Sequence, residues 1–346
     1  MTDPNAVYRD AIRRIAGRIR ECSPPDLAGR FAVAGGFDAS SYRRCPSRFD
    51  GAICAVDGSN TVILDAGSFA VAAVRASVSS YAGGSRLHHR TTPLQIVTVN
   101  PGTGNEDFDE IYHDCFHCAP KVPLDHDDPV RNTAVIRDTL EFWAATEMAA
   151  ELDAGDLIVL DGTLQVRHAS HGEVVEKLLN LCNLRGVLIA AVTKRTSLTW
   201  GDGHPIVPAA EGLARDLGVP GPWYLCVSTP EGLIDRRETD SWKQRGEQYV
   251  ARLHPRAERA FKVEIPALYS PEKVERVFSA LAAYADDGRV TGYPYPLLDA
   301  HLTTKIGKDA VEQVRQDIIR DMDRLGMTLA DYTGIFGDYH DEFDRY

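Results

Sequence analysis

The strongest constraint in the sequence is a pattern that occurs twice. Ala52-Ile53-Cys54-Ala55-Val56-Asp57-Gly58-Ser59-Asn60 is an apolar run that ends in a carboxylate, a glycine and two small polar residues. Asp156-Leu157-Ile158-Val159-Leu160-Asp161-Gly162-Thr163-Leu164 repeats the plan further along the chain. Short apolar runs bounded by turn residues predict buried strands, and glycine permits the tight turn that exposes the preceding aspartate at the strand end. If the two strands are neighbours in one sheet, Asp57 and Asp161 stand side by side. Hard divalent cations such as Mg²⁺ and Mn²⁺ require oxygen ligands held in this way.

A chain of 346 residues forms one large domain or two ordinary ones. Its 44% apolar and 25% charged content is that of a globular protein. No uncharged apolar segment reaches the ~18 to 20 residues that span a bilayer, and the N-terminus lacks a secretory plan. A cytoplasmic protein with no membrane partner is the expectation. The seven cysteines are odd in number and scattered, and Cys54, Cys182 and Cys226 sit in apolar runs, as reduced core thiols do. His113-Asp114-Cys115-Phe116-His117-Cys118 has metal-like spacing, but Cys115 and Cys118 have no distant partner pair. The net charge of −12 argues against a protein that coats nucleic acid with its whole surface. It is compatible with a local basic channel, and basic residues cluster at Arg86 to Arg90, at Lys194-Arg195 and from Arg252 to Lys262.

Val7, Ile12, Ile15 and Ile19 among arginines predict an amphipathic helix over residues 4–22, packed on the main body or on a second subunit. Residues 23–50, rich in Pro, Gly, Ser and Arg, read as a connection with little regular structure. Residues 52–81 then read as strand, turn, strand, turn, strand, with the first strand ending at Asp57. A basic loop, a strand over 94–99 and a long acidic loop over 100–129 follow. A helix over 131–152 carries Glu141 between Leu140 and Phe142, and a carboxylate beside core-facing residues is unusual unless it is paired or bound. After Asp161, a helix over 172–184 and a strand over 186–192 complete a crossover. That crossover brings Lys194 and Arg195 out at the same end of the sheet as Asp161, where cations suit phosphates. Residues 223–227 and 261–265 read as strands flanking a charged segment (231–259), and 271–285 reads as a helix. Residues 292–301 read as extended, ahead of a final helix over 303–325. The expected organisation is an N-terminal helix and connection (1–50), a main domain with insertions (51–325) and an acidic aromatic tail (326–346).

A meander, a crossover helix and acids on adjacent central strands describe an α/β fold with a ribonuclease H-like mixed sheet, flanking helices and inserted helices and loops. Val56-Asp57-Gly58-Ser59, Leu160-Asp161-Gly162-Thr163-Leu164 and Gly292-Tyr293-Pro294-Tyr295-Pro296-Leu297 with His301 resemble the NurA family of archaeal and bacterial DNA-repair nucleases, in the family's order. The resemblance implies a DNA nuclease dependent on Mn²⁺ or Mg²⁺, with one or two ions and with 5′–3′ exonuclease and single-strand endonuclease activity. It also implies a homodimer that resects DNA ends in double-strand break repair with a HerA-type hexameric ATPase.

By the same resemblance, Asp57, Asp161, Glu141 and His301 are metal ligands and, with Tyr293, catalytic residues. Glu147 competes with Glu141 for its role, and Tyr295 with Tyr293. Lys194 and Arg195 are candidates for binding nucleic acid. Taken singly, an aspartate before glycine is ordinary turn chemistry. An actin-like or sugar-kinase-like ATPase also holds phosphates on Asp-Gly-Ser/Thr turns, but it calls for a second glycine-rich turn, which this sequence lacks. A silent scaffold that only docks a DNA motor would not need intact carboxylates.

Overall fold

A computed structural model of the chain describes residues 4–22, 26–99, 105–124, 128–228, 233–234 and 246–337. Residues 23–25 of the predicted connection, 100–104 and 125–127 of the predicted acidic loop, 231–232 and 235–245 of the charged segment and 338–346 of the tail lie outside the described residues. The chain divides into two compact units that interleave in sequence. One comprises Met1–Gly51, Gly162–Gln165 and Ile189–Tyr295, and the other Ala52–Asp161, Val166–Leu188 and Pro296–Tyr346.

The first of these opens with α1 (Pro4–Cys22), whose apolar stripe of Val7, Ile12, Ile15 and Ile19 is exposed. The stretch after it, expected to be irregular, forms α2 (Leu27–Gly35) and the short strand β1 (Tyr42–Arg44). Tertiary burial is the reason: Leu27, Ala28 and Phe31 of α2 share a core with Trp200, Leu213 and Trp223. Gly36, at φ +64°, closes α2 in the left-handed conformation. β1 is the edge of an antiparallel sheet that continues through β10 (Trp223–Cys226), β11 (Gly246–Arg252), β12 (Phe261–Pro266) and β7 (Leu188–Thr193). The pair β8 (Thr199–Trp200) and β9 (His204–Pro205) and helices α6 (Ile206–Asp216) and α7 (Pro271–Ala283) complete the unit.

The second unit is built on β2 (Ala52–Asp65), a single strand of 14 residues. The turn expected at Gly58 does not occur. β2 pairs antiparallel with β3 (Ala70–Ala82) straight through the motif, with Asp57 opposite Ser77 and Gly58 opposite Ala76. Pairing along the whole ladder overrides the turn propensity of Gly58-Ser59-Asn60. The expected basic loop is β4 (Ser85–Thr91), which pairs with β3, as does β5 (Gln95–Val99). Where an acidic loop was expected stands α3 (Glu106–Phe116), whose Glu106, Asp107 and Asp109 suit the positive end of the helix. Helix α4 (Pro129–Glu151) starts with Asp128 accepting from the Arg131 N–H at 2.9 Å, and Pro129 takes the first-turn place where no N–H is needed. It leads to β6 (Leu157–Asp161), which lies parallel to β2 with Val56 beside Leu160. A meander, a helix and a returning parallel strand make the ribonuclease H-like mixed sheet that the sequence predicts.

Helix α5 (His171–Arg185) follows, and its first residue is fully buried. His171 Nε2 lies 2.8 Å from Thr139 Oγ1 of α4, and its ring stacks on Tyr112 of α3. The chain closes with α8 (Tyr295–Thr304), α9 (Lys308–Arg324) and α10 (Leu329–Phe336). Residues 295–301, expected to be extended, are helical because Pro296 falls in the first turn of α8, where it breaks no hydrogen bond. Cys115 is half-buried and Cys118 exposed. Among the described residues neither joins a convergent group of metal-ligating side chains. No helix is long and apolar enough to cross a membrane among the described residues.

Candidate active site

Alternation along β2 sends Asp57 and Gly58 to opposite faces of the sheet. On the Asp57 face lies α8, fastened to β3 at several points. Ser77 Oγ donates to the Ala300 carbonyl at 2.8 Å, and Tyr81 donates its hydroxyl to Asp299 Oδ2 at 2.8 Å. Arg75 donates to the carbonyls of Thr304, Thr303 and Lys305 at 2.7, 3.1 and 2.5 Å, satisfying the acceptors that every helix leaves open at its C-terminus. These bonds fix His301 over the strand, with Nδ1 2.9 Å from Asp57 Oδ2. The other oxygen of Asp57 accepts the Gly58 N–H at 2.9 Å. Asp57 is 6% exposed, and a carboxylate can only accept, so the imidazole donates to it through Nδ1–H.

On the opposite face α4 crosses β2 at Gly58. A Cβ at residue 58 would overlap the Glu141 carboxylate and Arg137 Cγ, so glycine is required here for close approach and not for a turn. Glu141, whose side chain is 13% exposed, forms an ion pair with Arg137 Nε at 3.1 Å. Arg137 also donates to Asp138 Oδ1 at 2.6 Å and to Asn60 Oδ1 at 3.2 Å, and Asn60 donates to Thr133 Oγ1 at 2.7 Å. Burial pushes the Glu141 carboxyl well above the usual range. The Arg137 guanidinium opposes this, and the charges of Asp138, Asp57 and Asp161 add to it. For Arg137, burial works against the charge, but Glu141 and Asp138 outweigh it and hold the guanidinium firmly protonated.

Asp161 ends β6 and is half-buried, followed by Gly162 at φ +146°. One ligand atom from each of Asp57, Asp161 and His301 lies within 4.8 Å of the others. The donor set of two carboxylates and one imidazole fits a divalent cation. Asp57, Asp138 and Glu141 crowd a single guanidinium, and Asp161 adds its charge beside Glu141, so the group favours further positive charge. Glu141, paired with Arg137 on the Gly58 face, is not among the converging ligand atoms, and neither is Glu147, which is exposed on α4.

A NurA domain model matches residues 51–306, a span that takes in both Asp-Gly motifs, Glu141, Tyr293 and His301. The chain belongs to the NurA family. Its fold is similar to that of the NurA nuclease from Sulfolobus solfataricus, at 15% identity over 90% of this chain and 98% of that one, with a TM-score of 0.55. A structure of NurA bound to dAMP and manganese aligns at 11% identity over 89% of this chain and 94% of that one, with a TM-score of 0.47. No curated protein sequence matches the chain.

The remaining candidates of this NurA chain lie in the unit that contains α1. Tyr293 is buried, with its ring 5.4 Å from Phe261 and Lys194 Nζ 5.3 Å from its centroid, so the structure brings these two candidates together. Tyr295 is half-buried beneath the Arg289 guanidinium at 5.1 Å, and Arg195 is exposed. Sequence reasoning missed Arg137, Asp138, Asn60 and Arg75. The spacing of Arg137 and Glu141, one helical turn apart, was the available sign of the first. Nothing local marks Arg75, whose partners lie far along the chain.

Proposed function

We propose that this NurA chain is a metal-dependent DNA nuclease. The observation that carries the reading is the convergence of Asp57, Asp161 and His301 on one point within 4.8 Å, beside a buried Glu141. Asp57, Asp161, Glu141 and His301 would hold one or two divalent ions, with Mn²⁺ favoured over Mg²⁺ because an imidazole joins the oxygens. A bound ion supplies activation of water and neutralises charge on the scissile phosphate.

The chain's own residues do the rest. The Gly58 N–H and His301 fix both oxygens of Asp57, Arg137 fixes Glu141, and the second ring nitrogen of His301 serves either as a metal ligand or in proton transfer, not as both at once. Tyr293, Lys194 and Arg195 hold the substrate's phosphates. No base contact is required, so cleavage is largely independent of sequence. In keeping with the family resemblance, we assign 5′–3′ exonuclease and single-strand endonuclease activity in double-strand break repair with a HerA-type hexameric ATPase, in the cytoplasm. The exposed apolar stripe of α1 supports association into a homodimer.

The decisive experiment incubates the purified chain with linear DNA and Mn²⁺. Degradation is expected, and Asp57→Ala or Asp161→Ala should abolish it while leaving the circular dichroism spectrum unchanged. Tight ATP binding without DNA cleavage would replace this reading with the kinase-like one.

A further inference from the structure

In this acidic chain several exposed arginines stand against a carboxylate, as Arg90 does with Glu151, Arg320 with Asp317 and Arg324 with Asp321. Arg43, Arg44 and Arg48 do not. All three are exposed, and among the described residues none has an ion-pair or hydrogen-bond partner for its guanidinium. They fall within six consecutive residues, on and just after the edge strand β1. Together with Pro222 and Tyr224 they line a groove of about 540 Å³, with Glu275 its one acid.

The groove is built on fixed elements. Its backbone is held by the buried Cys45, whose N–H donates to the Pro222 carbonyl at 3.1 Å, and its aromatic wall by Tyr224, stacked on Phe278 at 4.0 Å between centroids. Three unneutralised guanidinium forks on a rigid concave surface make a site for a polyanion, because planar forks bind phosphate oxygens two at a time and lose little freedom in doing so.

We infer that this groove grips the phosphate backbone of a polynucleotide. It would thus be a DNA-holding surface in the unit that does not contain the Asp57, Asp161 and His301 cluster. The inference rests on the nuclease reading for the identity of the polyanion. It adds a site made of residues outside the acidic cluster and outside the matched span of the NurA domain, residues 51–306. The arginines contact phosphate and no base, so they contribute affinity without sequence preference.

The test is fluorescence anisotropy of a labelled single-stranded oligonucleotide, titrated with full-length protein in EDTA at several KCl concentrations. The variants are Arg43→Gln/Arg44→Gln/Arg48→Gln and the charge-retaining Arg43→Lys/Arg44→Lys/Arg48→Lys, both checked for fold by thermal melting, with Arg48→Gln alone as the mildest substitution. The triple glutamine variant should bind about tenfold more weakly at moderate salt. Its plot of log affinity against log salt should be shallower by about 2, since each phosphate neutralised on a single strand contributes ~0.7 to the slope. The lysine variant should keep the slope, and Arg48→Gln should lose about a third of the effect.

Wild-type protein that cuts DNA with Mn²⁺ yet binds it no better than the glutamine variant would overturn the groove alone. Wild-type protein that neither binds nor cuts DNA would overturn both readings. Self-association of the glutamine variant with unchanged DNA binding would show that the arginines only keep an open strand edge from pairing. Loss of binding to labelled polyglutamate, with DNA binding unchanged, would give the groove to an acidic protein instead. Either result overturns the inference.

Discussion

His301 Nδ1 stands 2.9 Å from the carboxylate of Asp57 across 244 residues of chain. Neither residue is held by its own segment alone. Asp57 sits inside a continuously paired strand, and His301 rides on a helix that Arg75, Ser77 and Tyr81 bind to the next strand. The site therefore depends on how α8 is seated as much as on the acids themselves.

The first prediction concerns the ligands. Asp57→Asn and Asp161→Asn keep shape and lose charge, and each should lower Mn²⁺ affinity at least about 100-fold, beyond what loss of an outer partner costs. Calorimetric titration of Mn²⁺ into the metal-stripped protein reads this directly. Wild-type affinity in Asp161→Asn would remove that residue from the ligand set. Glu147→Gln should bind Mn²⁺ normally, whereas Glu141→Gln should not.

The second concerns Gly58. A methyl group there displaces Glu141 and Arg137, so Gly58→Ala should cost about 1–3 kcal/mol of stability by overpacking. Removing the obstructed carboxylate in Gly58→Ala/Glu141→Ala should recover part of that loss. Urea denaturation of the four species closes the cycle, and strictly additive effects would mean that residues 58 and 141 do not meet.

Arg75 carries the third. Arg75→Met leaves carbonyls at the end of α8 without donors and should cost about 1–3 kcal/mol. The same variant should weaken Mn²⁺ binding as much as His301→Ala, and combining the two should weaken it no further. Full additivity in the titration would separate Arg75 from the imidazole.

A fourth follows from the buried His171. Burial, reinforced by the charge of His168, lowers its pKa to about 3, against about 6.5 when unfolded. Between those values the unfolded chain takes up a proton that the folded chain refuses. The contribution is complete above the unfolded value and is lost as the pH falls toward the folded one. Stability should drop by about 2 kcal/mol from pH 7 to pH 5 through this group alone. Chemical denaturation should show a shallower loss in His171→Phe over that range, and an unchanged slope would discard the account.

Much of this was legible in the sequence, for physical reasons. Asp161 reads correctly because a short apolar strand does end there, in a glycine at positive φ. Asp57 reads correctly as a strand-borne acid, but the turn after it does not exist. Propensity is local, and β3 supplies partners for Gly58, Ser59 and Asn60 that no local pattern announces. The role of Gly58 was hidden for the same reason, since its crowding comes from a helix some eighty residues away. Helices α2 and α3 escaped notice because glycines and acids mask the few apolar residues that anchor them. The ion pair of Arg137 with Glu141 was open to a helical reading, whereas the reach of Arg75 to the end of α8 was not, because only the folded sheet brings them together.

The order of the donors along the chain has its own outcome during synthesis. A ribosome releases the two aspartates long before the histidine, and the helix that bears the histidine is fixed only once it can dock on a sheet already formed. A growing polypeptide thus passes through most of its translation with the chelate unfinished, and a chain cut short ahead of α8 would carry both acids without their imidazole.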